Sequence, residues 1–331
     1  MKTPETTIED NFGRTFPYLR LSITDMCNFR CDYCLPDGYQ KPKDKPVFLT
    51  LDEIRHLVHA FAELGMWKIR LTGGEPTLRK DFIDIVETVA STHGVRKIAL
   101  TTNGYKLPER ARAFFDAGVR AINISTDTLN REKFKDMTGH DRLADVTEGV
   151  QKCLDAGYDN VKVNTVLLRG FNDGELDSFI DFVKDKHIAL RFIELMQTGE
   201  NLSYFRDRHL PGTFVQQRLT ETGWIPAERS AGGGPAIEYS HPDYAGRIGV
   251  IAPYAKDFCK TCNRLRVSAR GKLHLCLFGD GGYDLRPLLQ SESDREELQQ
   301  KLQQLMNFKK GSHFLSEGNT GSRQHFASIG G

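Results

Sequence analysis

The chain has 331 residues, 39% of them hydrophobic and 27% charged, with 45 Lys and Arg against 44 Asp and Glu for a formal net charge of +1. That balance creates no global field for nucleic acid or an anionic membrane, so any anion must be held by a local basic cluster. No apolar run approaches the ~18–20 residues that span a bilayer, and the first twenty residues carry acids without an apolar stretch. This reads against a secretory leader and makes the cytoplasm the expected address, where seven cysteines point to metal binding or catalysis rather than disulfides.

The first predicted strand, Tyr18–Ile23, sets Leu19, Leu21 and Ile23 on one face and Arg20, Ser22 and Thr24 on the other. Directly after it comes CNFRCDYC, which spaces Cys27, Cys31 and Cys34 as C-x3-C-x2-C. Three thiolates on one loop can hold three irons of a [4Fe–4S] cluster and leave the fourth open, whereas most cluster motifs supply four cysteines. The missing ligand is therefore a non-protein one. Structural zinc would need a fourth tetrahedral ligand; His56 and His59 could be proposed, but neither lies in the loop. The next helix opens on a capping box, Thr50 and Glu53, buries Ile54, Leu57, Val58 and Phe61, and stops at Gly65. A second strand, Lys68–Thr72, puts Ile69 and Leu71 opposite Arg70 and Thr72 and runs into the turn Gly73-Gly74-Glu75-Pro76.

Four more strands are predicted, at Lys97–Thr101, Ala121–Ser125, Asn160–Leu167 and Leu190–Met196, each separated by a helix-like segment. Ile98, Leu100, Ile122 and Ile124 oppose Thr101, Asn123 and Ser125. Val161 and Val163 oppose Lys162 and Asn164, and the sixth strand offers Glu194 and Met196 on its second face. Cys153 lies on a helix with Val146, Val150 and Leu154 and reads as a core thiol. Six strand–helix alternations imply a parallel sheet. A sheet covered by helices on both faces would be apolar throughout, and an ordinary eight-stranded barrel is filled with branched aliphatics. One polar face in strand after strand implies instead an α/β fold of the incomplete (β/α)6 TIM type, a partial barrel whose lumen encloses a ligand.

The segment Arg229–Gly246, with glycines at 232, 233 and 234, reads as a loop or boundary that divides region 1–228 from region 229–331. Beyond it Cys259, Cys262 and Cys276 form C-x2-C-x13-C, and a hairpin of Arg264–Ser268 with Leu273–Phe278 would return Cys276 beside the first pair. Zinc is a serious alternative here, because C-x2-C pairs are common in its sites. Arg264 and Arg266 share one strand face. A helix at Asp294–Leu305 and a tail ending in Gly330 and Gly331 complete the chain. Arg20, Arg70 and Lys162 project into the inferred lumen, with Glu194 able to pair one of them. Unpaired buried cations are costly, so with Arg264 and Arg266 the site calls for a polyphosphate, which arginines bind bidentately.

The cysteine loop followed by GGEP resembles the radical S-adenosylmethionine (SAM) superfamily. In that superfamily the open iron chelates the amino and carboxylate groups of SAM, and the GGEP turn receives the amino group. The runs YLRLSITDMCNFRCDYC, KIRLTGGEP, VKVNTVLLRG, LRFIELMQTGE, DFCKTCNRLRV and GKLHLCLFG, with the double-glycine end, resemble the GTP 3′,8-cyclase family over nearly the whole chain. The resemblance implies that Cys27, Cys31 and Cys34 hold the SAM cluster and that Tyr33, Gly74, Glu75, Ser125 and Met196 line the SAM site. It also implies that Arg20, Arg70, Thr101, Lys162, Arg264, Leu265 and Arg266 bind GTP. Cys259, Cys262 and Cys276 would hold a second [4Fe–4S] cluster, whose open iron binds the guanine base, and the tail with Gly330 and Gly331 would enter the active site. The implied reaction is a lyase-type cyclisation in molybdenum cofactor biosynthesis: a 5′-deoxyadenosyl radical takes hydrogen from C3′ of GTP, and C3′ joins C8. The implied partners are a reducing protein as electron donor and cyclic pyranopterin monophosphate synthase downstream. No nucleic acid or membrane is expected, and a homodimer is compatible. The competing reading is a radical SAM enzyme that modifies peptides and carries an auxiliary Fe–S cluster.

Overall fold

A chain whose strands are apolar on one side only must lay that side against helices and leave the other side to line a cavity. The computed structural model, which describes residues 7–44, 47–228, 233–279, 281–321 and 327–330, has this arrangement. Its strands in chain order are β1 (Tyr18–Ser22), β2 (Lys68–Thr72), β3 (Lys97–Thr102), β4 (Val119–Ser125), β5 (Asn160–Leu167), β6 (Ala189–Glu194), β7 (Ile225–Pro226), β8 (Ile237–Ser240), β9 (Arg247–Ile251), β10 (Arg264–Val267), β11 (Lys272–His274) and β12 (Tyr283–Asp284). The α-helices are α1 (Leu51–Glu63), α2 (Phe82–Ser91), α3 (Leu107–Ala117), α4 (Arg131–Thr138), α5 (Leu143–Asp155), α6 (Leu176–Phe182), α7 (Leu202–Arg208), α8 (Thr213–Glu221) and α9 (Arg295–Met306).

All the strands share one sheet, in the order β12-β11-β10-β1-β2-β3-β4-β5-β6-β9-β8-β7. From β10 through β9 every pairing is parallel, and the outermost pairs at each end are antiparallel. The six expected β/α units are present. Two further parallel strands extend them: β10, the expected first arm of the hairpin, pairs with β1, and β9, not expected from sequence, pairs with β6, so regions 1–228 and 229–331 contribute to the same sheet.

The apolar side packs as the alternation predicts. Leu19, Leu21, Ile69, Leu71, Leu100, Ile122, Ile124, Val163 and Leu190 are fully buried against the inner faces of the helices, including Ile54, Leu57, Val58 and Phe61 of α1. Each such side chain contributes roughly 1.5–3 kcal/mol on leaving water. The predicted capping box forms: Thr50 Oγ1 accepts from the Glu53 amide at 3.2 Å, and Glu53 Oε2 accepts from the Thr50 amide at 2.8 Å. Glu53 also pairs with Arg286 at 2.8 Å, fastening α1 to the C-terminal region. Cys153 is buried in the core cluster on α5.

Three local expectations are corrected. The segment read as a loop from 229 to 246 contains β8 at Ile237–Ser240, with residues 229–232 outside the described residues. The second arm of the hairpin ends at His274, leaving Leu275–Phe278 beyond the strand. The sixth strand is out of phase with its expected faces, because register pairs Lys162 with Ala189 and Asn164 with Arg191. Arg191 therefore faces the cavity, and Glu194 lies on the helix side.

Candidate active site

Parallel register converts single residues into rows across the cavity wall. Arg266, Arg20 and Arg70 are direct lateral partners on three adjacent strands, with neighbouring strands only about 4.8 Å apart. One step towards the strand starts lies a second row: Arg264, Tyr18, Lys68 and Lys97. Across the cavity stand Lys162 and Arg191. Among the described residues, nine Lys and Arg side chains and two glutamates, Glu228 and Glu238, line a cavity of about 490 Å³. That volume suits a nucleotide-sized ligand.

These cations have few internal acids. The Glu238 carboxylate meets Arg191 at 2.5 Å; burial alone would push it up, but Arg191, with Lys162 and Arg247, holds it below the usual carboxylate range. Burial brings the Lys162 ammonium down to about 7, helped by the neighbouring Arg191 charge, and Lys162 donates to Asn160. Burial also brings Arg20 down to about 10 and Arg266 well below its ordinary value, with the adjacent arginines adding to both. For Tyr18 burial raises the hydroxyl, but Arg70, Arg20 and Lys68 together outweigh it and bring it to about 7. Arg70 Nε donates to the Tyr18 hydroxyl at 2.6 Å, and its Nη1 donates to the Leu100 carbonyl at 2.7 Å and the Thr101 hydroxyl at 3.2 Å. Tyr18 and Thr101 thus orient Arg70. Leu265 differs from the other expected ligands: its side chain is fully buried in the core, and only its main chain is left to meet a ligand.

The cysteine sets lie at opposite ends of the strands. Cys27 follows β1, whereas Cys259 and Cys262 precede β10, which runs parallel to it. Cys276 follows β11, antiparallel to β10, and so returns to the same end as Cys259 and Cys262. The thiols of each set sense one another's charge, yet among the described residues no three His, Cys, Asp or Glu side chains converge on a single ion.

Surroundings distinguish the sets. Burial pushes Cys27 up to about 11 and Cys34 to about 12, and Cys31 is raised well above its ordinary value by burial and then by Asp127. Burial also raises Cys259, but at Cys262 the charges of Lys309, Arg264 and Arg14 overcome burial and hold the thiol below its usual range.

The GGEP turn is pressed onto the cysteine loop. Gly74 and Glu75 donate main-chain hydrogen bonds to the carbonyls of Thr24 (2.9 Å) and Met26 (2.7 Å), and a Cβ at Gly73 or Gly74 would run into those same carbonyls. The fully buried Glu75 carboxylate accepts from the Thr77 amide and hydroxyl (3.1 and 2.6 Å), the Thr102 hydroxyl (2.8 Å) and the Asn103 amide (2.6 Å). It therefore ties the turn to the end of β3, where Asn103 approaches the Cys27 sulfur at 3.9 Å. Of the expected SAM residues, Tyr33 and Ser125 line a small recess of about 30 Å³ beside Cys31, Met196 lines the large cavity, and Gly74 and Glu75 line neither. A ligand touching Tyr33, Ser125 and Met196 spans both spaces.

The tail reaches the cavity wall. The Gly330 carbonyl accepts from Arg266 Nη1 at 2.8 Å, and at φ +64° a Cβ there would collide with Thr72; Gly331 lies outside the described residues. Sequence reading missed Arg191, Lys68 and Glu238 in the cavity, and Asn103 and Asp127 beside the first set, where Asp127 accepts from the Tyr33 hydroxyl at 2.9 Å. Taking Leu190 and Phe192 as the apolar face of β6 would have exposed Arg191. Glu194, expected in the lumen, instead accepts from His209 Nε2 at 2.8 Å and the Gly212 amide at 3.2 Å.

The radical SAM superfamily profile matches residues 21–183, and the molybdenum cofactor synthesis C-terminal profile matches residues 188–315. A protein of Aeromonas hydrophila named GTP 3′,8-cyclase is 54% identical over 98% of this chain and 96% of its own length. A protein of the same name from Psychromonas ingrahamii is 52% identical over 97% and 95%. In fold the chain is similar to Streptococcus suis SuiB bound to S-adenosylmethionine, with a TM-score of 0.56 at 12% identity, covering 79% of this chain and 60% of that one. No described helix is long and apolar enough to cross a membrane. By identity over almost its full length, the chain belongs to the GTP 3′,8-cyclase family of radical SAM enzymes, which use SAM and a [4Fe–4S] cluster.

Proposed function

We propose that this enzyme converts GTP to (8S)-3′,8-cyclo-7,8-dihydroguanosine 5′-triphosphate, the first step of molybdenum cofactor biosynthesis. The observation that carries this reading is the lateral row Arg266–Arg20–Arg70 in a cavity that Cys259, Cys262 and Cys276 also line. Three adjacent guanidiniums need a polyanion, and a triphosphate supplies one. Cys27, Cys31 and Cys34 hold the SAM cluster, with Tyr33, Gly74, Ser125 and Met196 around SAM, and Glu75 acts by fixing the turn. The reduced cluster so held would supply the electron for reductive cleavage of SAM to methionine and a 5′-deoxyadenosyl radical. Arg20, Arg70, Lys162, Arg264 and Arg266, oriented in part by Thr101 and with the Leu265 main chain, hold GTP so that C3′ gives up its hydrogen atom and C3′ bonds to C8. One further electron and a proton complete the product. The protein's share is placement and exclusion of water.

In this reading Cys259, Cys262 and Cys276 would hold a second [4Fe–4S] cluster, whose open iron would supply the binding site for the guanine base. Region 1–228 generates the radical, and region 229–331 supplies the second cluster and Gly330, whose carbonyl Arg266 holds. A reducing protein donates electrons, and cyclic pyranopterin monophosphate synthase consumes the product. The cation-lined cavity does not favour a peptide substrate. Anaerobic incubation with GTP, SAM and dithionite is the test: GTP-dependent 5′-deoxyadenosine and the cyclised nucleotide are expected, and the absence of both overturns the proposal. Residues added after Gly331 should slow turnover; unchanged turnover would exclude the tail's role.

A further inference from the structure

Lys309 follows α9 by three residues and is buried at 4% exposure. Its ammonium donates to the carbonyl of Leu275, the residue before Cys276, and sits 5.0 Å from the centre of the Phe16 ring. Among the described residues no carboxylate lies within ion-pair distance of it. The nearby buried Arg14 differs, because Asp10 meets it at 2.6 Å. An ammonium that has given up water for one carbonyl and one ring is poorly compensated. Such a charge survives in a core when an anion completes the site.

The anion is close by. Lys309 holds the carbonyl of Leu275, the residue bonded directly to Cys276, and the next residue, Lys310, shares the Arg14 guanidinium with Cys259. Arg14 also stitches this corner together: its guanidinium donates to the carbonyls of Cys259 and Gly311, each at 2.9 Å, and of Lys310 at 2.8 Å. The loop carrying Cys259 and the segment carrying Lys309 are thereby held by one side chain. Three cysteine thiolates on a [4Fe–4S] core leave a net negative charge, which grows by one on reduction, and cluster potentials respond to such charges.

We propose that Lys309 is the counter-charge of the second cysteine set, a positioning residue that stabilises an anionic cluster at Cys259, Cys262 and Cys276 and favours its reduced form. This rests on the reading that a second cluster binds there. A lysine serving only to tie down the Leu275 carbonyl would leave the cluster's potential unmoved.

The test compares wild-type, Lys309→Met and Lys309→Arg full-length proteins, reconstituted anaerobically. Iron per chain is counted, and both clusters are followed in one redox titration by electron paramagnetic resonance. The cluster at Cys27, Cys31 and Cys34 is the internal reference. Lys309→Met should shift the reduction equilibrium of the second cluster about tenfold towards its oxidised form, as expected for loss of one unit charge at short range, with the first cluster unmoved. Selective loss of iron from the second set in Lys309→Met, reversed in Lys309→Arg, would also support the proposal. An unshifted second cluster, an equal shift of both clusters, or no restoration by Lys309→Arg overturns it. Wild-type protein with only about four irons per chain would instead overturn the two-cluster reading.

Discussion

Cys27, Cys31 and Cys34 lie where the strands end, half-buried near the acids Asp127 and Glu75 and with no cation among the main influences on their thiols. Cys259, Cys262 and Cys276 lie where the strands begin, next to Lys309, Arg264 and Arg14. The same number of thiols is thus set in opposite fields. On the proposed reading, acids near the first set would penalise an anionic cluster and favour a ligand that brings its own positive charge, as SAM does with its sulfonium and ammonium. At the second end the protein supplies the positive charge itself, and the cavity beyond is left open to an anion. Charge placement, rather than cysteine spacing alone, separates the two proposed roles.

The comparison is broken most severely by removing a thiol from each end. Cys31→Ser should lower 5′-deoxyadenosine formation by more than ~10³-fold. Cys262→Ser should leave the SAM-induced spectral change of the first cluster in place while abolishing cyclised product. Loss of that spectral change in Cys262→Ser would mean that the ends are not separable. Next in size is Gly74→Ala, whose Cβ would strike the Met26 carbonyl. It should cost on the order of 3 kcal/mol of local stability, read as weakened SAM binding in titrations with GTP affinity changed far less.

Arg266→Gln removes the member of the lateral row that also holds the Gly330 carbonyl. It should raise the dissociation constant for GTP about 10–100-fold, the value of a charged hydrogen-bonding group, with SAM affinity little changed. The smallest effect is pH-dependent. Lys162 and Tyr18 both titrate at about 7 in the ligand-free fold. A bound triphosphate favours the ammonium and the neutral phenol, so above pH 7 GTP binding should take up protons. The affinity should fall up to about tenfold between pH 7 and 8.5, less in Tyr18→Phe, as calorimetry in buffers of different ionisation enthalpy would detect. For the ligand-free chain the sign is opposite: both groups have folded values below their unfolded ones, 10.5 and 10.0. Their linkage therefore makes stability rise as pH climbs from 7 towards 10.

Local pattern carried far into this protein. Residues two apart share a strand face, so Arg20, Arg70, Asn123, Ser125 and Lys162 could be assigned to the cavity side before any strand was paired. The cysteine spacings, the GGEP turn and the Thr50–Glu53 cap are equally local, each contained in fewer than twenty residues. What local pattern missed was decided by pairing between distant segments. The phase of β6 was fixed by its register with β5, which turned Arg191 inward and Glu194 outward. Glu238 entered the site because β8 and β9 extend the sheet past β6. The row Arg266–Arg20–Arg70 exists because a strand 246 residues downstream aligns with β1, and Arg14 reaches Cys259 across a sequence separation of 245.

By itself the sequence determined the kind of chemistry and which face of each strand would bear it, since thiol spacing and alternation are properties of short segments. Which cations become neighbours and which acid offsets them followed only from the folded sheet. Electrostatic energy depends on distance through space, and the folded sheet, not the order of residues, sets those distances.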